Sequence, residues 1–80
     1  MPSLDQLRVG QTGIIESITG TDAIMQRLLE MGLLEGEQVR VIGFAPLGDP
    51  MEILLGDYRL SLRRKEAARV HVNLTETISG

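Results

Sequence analysis

Eighty residues make a single domain, a hydrophobic fraction of 42% excludes a disordered chain, and the absence of cysteine excludes disulfide scaffolds, thiolate metal sites, iron–sulfur clusters and a cysteine nucleophile. The net charge of −3 is unevenly placed: residues 1–57 carry three Arg against nine Asp or Glu, whereas residues 58–80 carry five Arg or Lys against two Glu. An acidic chain is a poor general match to nucleic-acid phosphates, which reward clustered cations, so no nucleic-acid partner is expected, but the C-terminal excess leaves room for a local basic patch.

The start, Leu4 to Gly10, spaces two leucines three apart and reads as an ordered lead-in that tucks Leu4 and Leu7 onto a core. Residues 12–19 are dense in β-branched side chains and end at Gly20, the pattern of a first strand. Thr21 and Asp22 then offer side-chain oxygens for a helix start, and Ile24, Leu28 and Met31 recur at helical spacing. The spacing predicts a helix over residues 22–31 that stops at Gly32, with Leu33 placed to touch Leu28. Met25 and Leu29 form a second apolar row beside that stripe. A domain this small buries only about 60% of its unfolded surface and lacks the sheet to cover both rows, so the second is expected to face outward.

A turn around Gly36 leads to a second strand over 38–44, a third over 51–55, the tight turn at Gly56-Asp57, and a cleanly alternating strand over 58–63. Residues 64–68 read as a single helical turn, and residues 69–74 alternate again. Gly32, Gly36 and Gly56 are assigned structural roles in these stops and turns. With Phe44 and Tyr58 as the only aromatics, the core is aliphatic. Five short strands, brief turns and one small helix fit a mainly β fold, a small SH3-like barrel, which leaves few exposed edges. Val70 and Val72 are placed to close it against the first strand. The barrel is assigned to residues 1–74, and the polar residues 75–80 to a frayed tail.

No run approaches the ~18 apolar residues of a membrane span, and the N-terminus lacks the order of a secretory signal, so a cytoplasmic, non-spanning protein is expected.

The ordered set Arg27-Leu28-Leu29-Glu30-Met31-Gly32-Leu33, then Gly36, then Ala45-Pro46-Leu47-Gly48-Asp49-Pro50, then Gly56, then residues 60–67, and the closing Val70 and Val72 resembles the FeoA proteins. These are small accessory proteins of bacterial ferrous-iron transport. The resemblance runs from about residue 5 to residue 74. It implies an SH3-like β-barrel with a short helix inserted after the first strand. It also implies a partner, the membrane iron transporter FeoB with its cytoplasmic GTP-binding region. Met31 stands where the family often carries another apolar residue, and the tail after Leu74 has no clear counterpart.

The segment 45–50 holds two of the three prolines. Its chemistry is that of a stiff turn: proline fixes φ, Gly48 admits positive φ, and Asp49 bonds nearby backbone. A rigid loop is equally suited to contact a partner. One isolated carboxylate is no metal constellation, and the GxxxxGK[ST] phosphate loop is absent. His71, the single histidine, points away from the face of Val70 and Val72 and lacks further ligands. Neither cofactor nor metal site is therefore expected. Arg59, Arg63, Arg64, Lys65 and Arg69 form either a solvated face or an electrostatic contact for an acidic or lipid surface.

These readings place the partner interface at Met25, Leu29, Pro46, Leu47, Gly48, Asp49, Pro50, Arg63 and Arg64, with weak self-association as a further use of the exposed apolar row. No nucleophile–base pair is visible, so a non-enzymatic binding module is expected. The alternative is an SH3-like module linked to nucleic acid, either RNA-binding or of the metal-dependent repressor type. The missing aromatics oppose the first, and the absence of a DNA-binding domain opposes the second.

Overall fold

The first strand, β1 (Thr12–Ile18), joins one partner from mid-chain and one from near the C-terminus: β2 (Gln38–Phe44) on one side and β5 (Val70–Leu74) on the other, both antiparallel. The computed structural model describes residues 2–75. With β3 (Met51–Leu55) and β4 (Tyr58–Leu62), the sheet runs β4-β3-β2-β1-β5. The register shifts between Ile15 and Ser17 on β1 and between Val41 and Gly43 on β2. An extra residue at such points sharpens the bend of the strand, which lets a small sheet curl around its own core. This is the mainly β, SH3-like arrangement expected. Val70 and Val72 face Ile18 and Ile15 across the β1–β5 ladder.

The alternation read for 58–63 and 69–74 places Leu62, Val70 and Val72 in the buried core but leaves Tyr58 exposed, and Val39, Val41, Met51, Ile53 and Leu55 join the core from β2 and β3. Each such aliphatic side chain contributes about 1.5–3 kcal/mol relative to exposure. Leu4 and Leu7 join this core from the N-terminal lead-in, where Leu4–Gln6 form one 3-10 turn. The same segment covers the β5 edge: the Val72 N–H donates to the Pro2 carbonyl at 3.0 Å, and Ser3 bridges to His71. Thr75, which polarity groups with the tail, donates its N–H to the Thr12 carbonyl at 3.0 Å. The rest of the expected frayed tail, 76–80, lies outside the described residues.

Helix α1 (Ala23–Glu30) follows β1, with Asp22 as N-cap and Met31 as C-cap, one residue inside each expected boundary. Its stop is the one the sequence foretold. Gly32 has φ +97°, its N–H donates to the Leu29 carbonyl at 3.0 Å, and the Leu33 N–H donates to the Leu28 carbonyl at 3.1 Å. That pair of bonds is a Schellman stop, with buried Leu28 and Leu33 as its apolar contact. Gly36 and Gly56 also take positive φ, at +90° and +59°. The connector between β4 and β5 is a single helical turn, α2 (Arg64–Ala67). No helix among the described residues is long and apolar enough to cross a membrane.

Candidate partner-binding surface

The two apolar rows of α1 divide only in part as their spacing suggests. Leu28 is fully buried, and Ile24 and Met31 pack half-buried against the core. In the second row Met25 is half-buried and Leu29 is exposed. The exposed apolar surface continues past the helix end. Leu34 is exposed two residues beyond Gly32, and the hydroxyl of exposed Tyr58 lies 3.1 Å from where a Cβ on Gly32 would stand. Leu34 and Tyr58 were not anticipated as surface partners. Leu34 reads as part of a turn, and only the fold lays the start of β4 across the end of α1.

The start of α1 is fixed by charge. One Asp22 carboxylate oxygen accepts from the Met25 N–H at 3.4 Å and also from the Arg69 guanidinium. The Arg69 hydrogen bond, aided by the Met25 N–H and the opposite charge, holds the Asp22 carboxyl below the usual carboxylate range against the opposing effect of desolvation. Gly20, φ +105°, is what lets Arg69 approach: a Cβ there would stand 2.5 Å from the guanidinium nitrogen.

The loop 45–50 is held from both inside and outside. Internally, the Gly48 N–H donates to the Ala45 carbonyl at 2.7 Å and the Ala45 N–H to the Pro50 carbonyl at 2.9 Å; the Asp49–Pro50 peptide is cis. Externally, Arg64 clamps it. The Arg64 backbone N–H donates to the Asp49 carboxylate at 3.0 Å, and its guanidinium donates to the Gly48 carbonyl at 3.3 Å and the Asp5 carbonyl at 3.1 Å. The same guanidinium lies 5.3 Å from the centre of the Phe44 ring, a cation–π distance. Asp49 thus bonds a residue 15 positions away rather than its own turn. Leu47, at the loop tip, is 96% exposed.

Helix α2 links these two regions. Arg64 at its first position grips the loop. Glu66, 2% exposed, accepts from the Arg63 N–H at 2.9 Å and from the Arg27 guanidinium of α1. Through Arg64 and Glu66, α2 is bonded to both the loop and α1, a strut that sequence reasoning missed. Arg63 is exposed and caps α2, and Lys65 beside it is also exposed. Of the five basic residues read as one segment, Arg64 and Arg69 are occupied by the fold's own bonds, while Arg59 stands opposite Leu54 on β3.

Two open hollows, about 310 and 240 Å³, lie along the sheet. The first is lined by Thr12, Gln38, Arg40 and Asp57 among others, and the second by Phe44, Ala45, Pro50 and Glu52 among others. In the second, Ser61 and Glu52 stand opposite each other across the β3–β4 ladder, and no hydrogen bond joins their side chains among the described residues. His71 is half-buried with Nε2 3.4 Å from the Thr19 hydroxyl. Among the described residues no three His, Asp or Glu side chains converge as a metal-binding group.

The FeoA domain model matches residues 3–74. The chain belongs to the FeoA domain family. A relative from Porphyromonas gingivalis (strain ATCC BAA-308 / W83), described as an Fe(2+) transport protein A/Fe(2+) transporter FeoB fusion protein, is 38% identical over 71 residues. That alignment covers 89% of this chain and 8% of the relative, so the chain spans less than a tenth of the fusion protein's length. The solved structure of Stenotrophomonas maltophilia FeoA, a zinc complex described as a prokaryotic SH3 domain protein, is 35% identical, covers 91% of each chain and superposes with a TM-score of 0.80. The fold alone recurs in a manganese-dependent transcriptional repressor, 17% identical with a TM-score of 0.84, over 91% of this chain and 36% of that one.

Proposed function

We propose that this FeoA protein is a non-enzymatic accessory module of ferrous-iron transport that docks on the cytoplasmic region of a FeoB-type membrane transporter. The observation that carries this reading is the fusion relative, in which a similar domain shares one chain with FeoB. Fusion holds two modules at an effective concentration of about millimolar; a separate chain must instead hold its partner by surface contacts of its own. The surface built on α1, α2 and loop 45–50 supplies these: exposed Leu29 and Leu47, half-buried Met25, and the cations Arg63 and Lys65.

The mechanism is differential contact. A module that does no chemistry alters a transporter by binding one of its states more tightly than another, and shifts the equilibrium by no more than that difference. Iron in this reading is the transporter's cargo. Anaerobic calorimetry with ferrous ion is expected to show no stoichiometric sub-micromolar site on this chain, and such a site would overturn it.

A nucleic-acid role has less support. The repressor shares the fold at 17% identity, and an acidic chain with Tyr58 as its one exposed aromatic offers little for base stacking. Parallel pull-downs of the chain against the intact transporter and against total RNA test the choice: capture of the transporter alone is expected, and salt-resistant capture of RNA alone would reverse it.

A further inference from the structure

Leu47 is 96% exposed, and among the described residues the next most exposed large apolar one, Val9, is at 58%. A lone exposed leucine on a loose loop is ordinary. Here the loop is braced by its internal bonds between Ala45, Gly48 and Pro50 and by Arg64, which bonds the Asp49 carboxylate and the Gly48 carbonyl. The conformational entropy of the tip is therefore lost on folding and is not charged again on binding.

We propose that Leu47 is the anchor of the interaction surface and that it seats in an apolar pocket of a protein partner edged by carboxylates. This rests on the reading of the chain as a transporter-binding module. Two observations select a protein pocket over a lipid surface. Bracing benefits recognition of a shaped cavity, whereas a fluid bilayer adapts to any tip and gains nothing from a rigid one. Arg63 and Lys65 flank Arg64 in the chain and are exposed, so three cations stand against the one exposed loop carboxylate, Asp49, that the Arg64 N–H engages. That arrangement complements acidic groups at the rim of a pocket. Arg64 is a positioning residue: it holds the tip and leaves the contact to Leu47.

The test uses the full chain and the intact detergent-solubilised transporter, with transporter-free nanodiscs of anionic lipid as a second probe. Seating a leucine in an apolar pocket makes Leu47→Ala weaken transporter binding roughly 10- to 50-fold. Leu47→Asp weakens it further, and both variants keep the wild-type melting temperature because the side chain touches nothing in the fold. Arg64→Gln lowers affinity in the wild-type background but changes little once Leu47 is alanine, a non-additivity that mere loss of stability would not produce. If the wild type binds and both Leu47 variants bind within about twofold of it, the anchor is overturned while the transporter reading stands. No binding by the wild type overturns both. Binding to empty nanodiscs that Leu47→Asp abolishes makes lipid the occupant and overturns the pocket.

Discussion

Arg27 on α1 and Glu66 on α2 stand 39 positions apart in the chain and meet as an ion pair; the Glu66 side chain is 3% exposed and that of Arg27 is 59% exposed. The pair is asymmetric. Glu66 also caps α2 through the Arg63 N–H, so its carboxylate satisfies a helix start and ties that helix to α1 at once. Glu66→Ala is expected to destabilise the protein by about 1–2 kcal/mol, chiefly through the acceptor lost to the Arg63 N–H, since the exposed Arg27 guanidinium is rehydrated. Glu66→Gln, which keeps an acceptor for the Arg63 N–H, should lose about half as much. Urea unfolding measures both, and an alanine variant as stable as wild type would remove Glu66 from its place as a strut.

Asp22 supplies a pH signature at the other end of α1. Its folded-state pKa lies below the ordinary 3.8, chiefly through the Arg69 hydrogen bond. A carboxyl lowered on folding contributes stability that is present above its unfolded value and lost as pH falls through the folded value. The stability difference between wild type and Asp22→Asn should therefore be constant at neutral and mildly acidic pH. It should begin to shrink as pH approaches 3.8 and be lost as pH falls through the lower folded value. Asparagine still caps the helix, so the difference isolates the charge. Unfolding curves of both proteins across that range check the sign.

Gly32 carries the stop of α1. At φ +97°, with the Tyr58 hydroxyl 3.1 Å from the site of a Cβ, Gly32→Ala meets both backbone strain and a displaced hydroxyl. A loss of about 1–2 kcal/mol in urea unfolding is expected.

Much of this was legible in the chain because it is local. Residues 38–44 and 51–55 read as strands between turns and became β2 and β3 at those bounds, and the run from Leu28 to Leu33 contains every group of the Schellman stop. Helical spacing also put Leu28 inside and Leu29 outside, while Met25 of the expected outer row is half-buried like Ile24. The links that assemble the surface were not legible. Arg27 and Glu66, or Arg64 and Asp5, are separated by 39 and 59 positions, and a sequence shows such residues only as charges. Arg64 in particular reads as a free cation, yet the fold uses it to hold a loop.

That distinction changes which charges suit a test of electrostatic docking. Reversing Arg64 would disturb the loop, whereas Arg63 and Lys65 are exposed and make no side-chain hydrogen bond among the described residues. Arg63→Glu/Lys65→Glu should leave the melting temperature within a few degrees of wild type while slowing association with the transporter several-fold at low salt. The effect should fade as ionic strength rises. Unchanged association rates at low salt would remove these cations from the interface.

The most direct measurement is a binding isotherm of the full chain against the intact transporter, taken with the transporter nucleotide-free and again loaded with a non-hydrolysable GTP analogue. A module that works by recognition alone binds saturably in both states and with affinities that differ, the difference setting how far it shifts the transporter. Identical affinities in the two states, or no binding in either, would contradict the account.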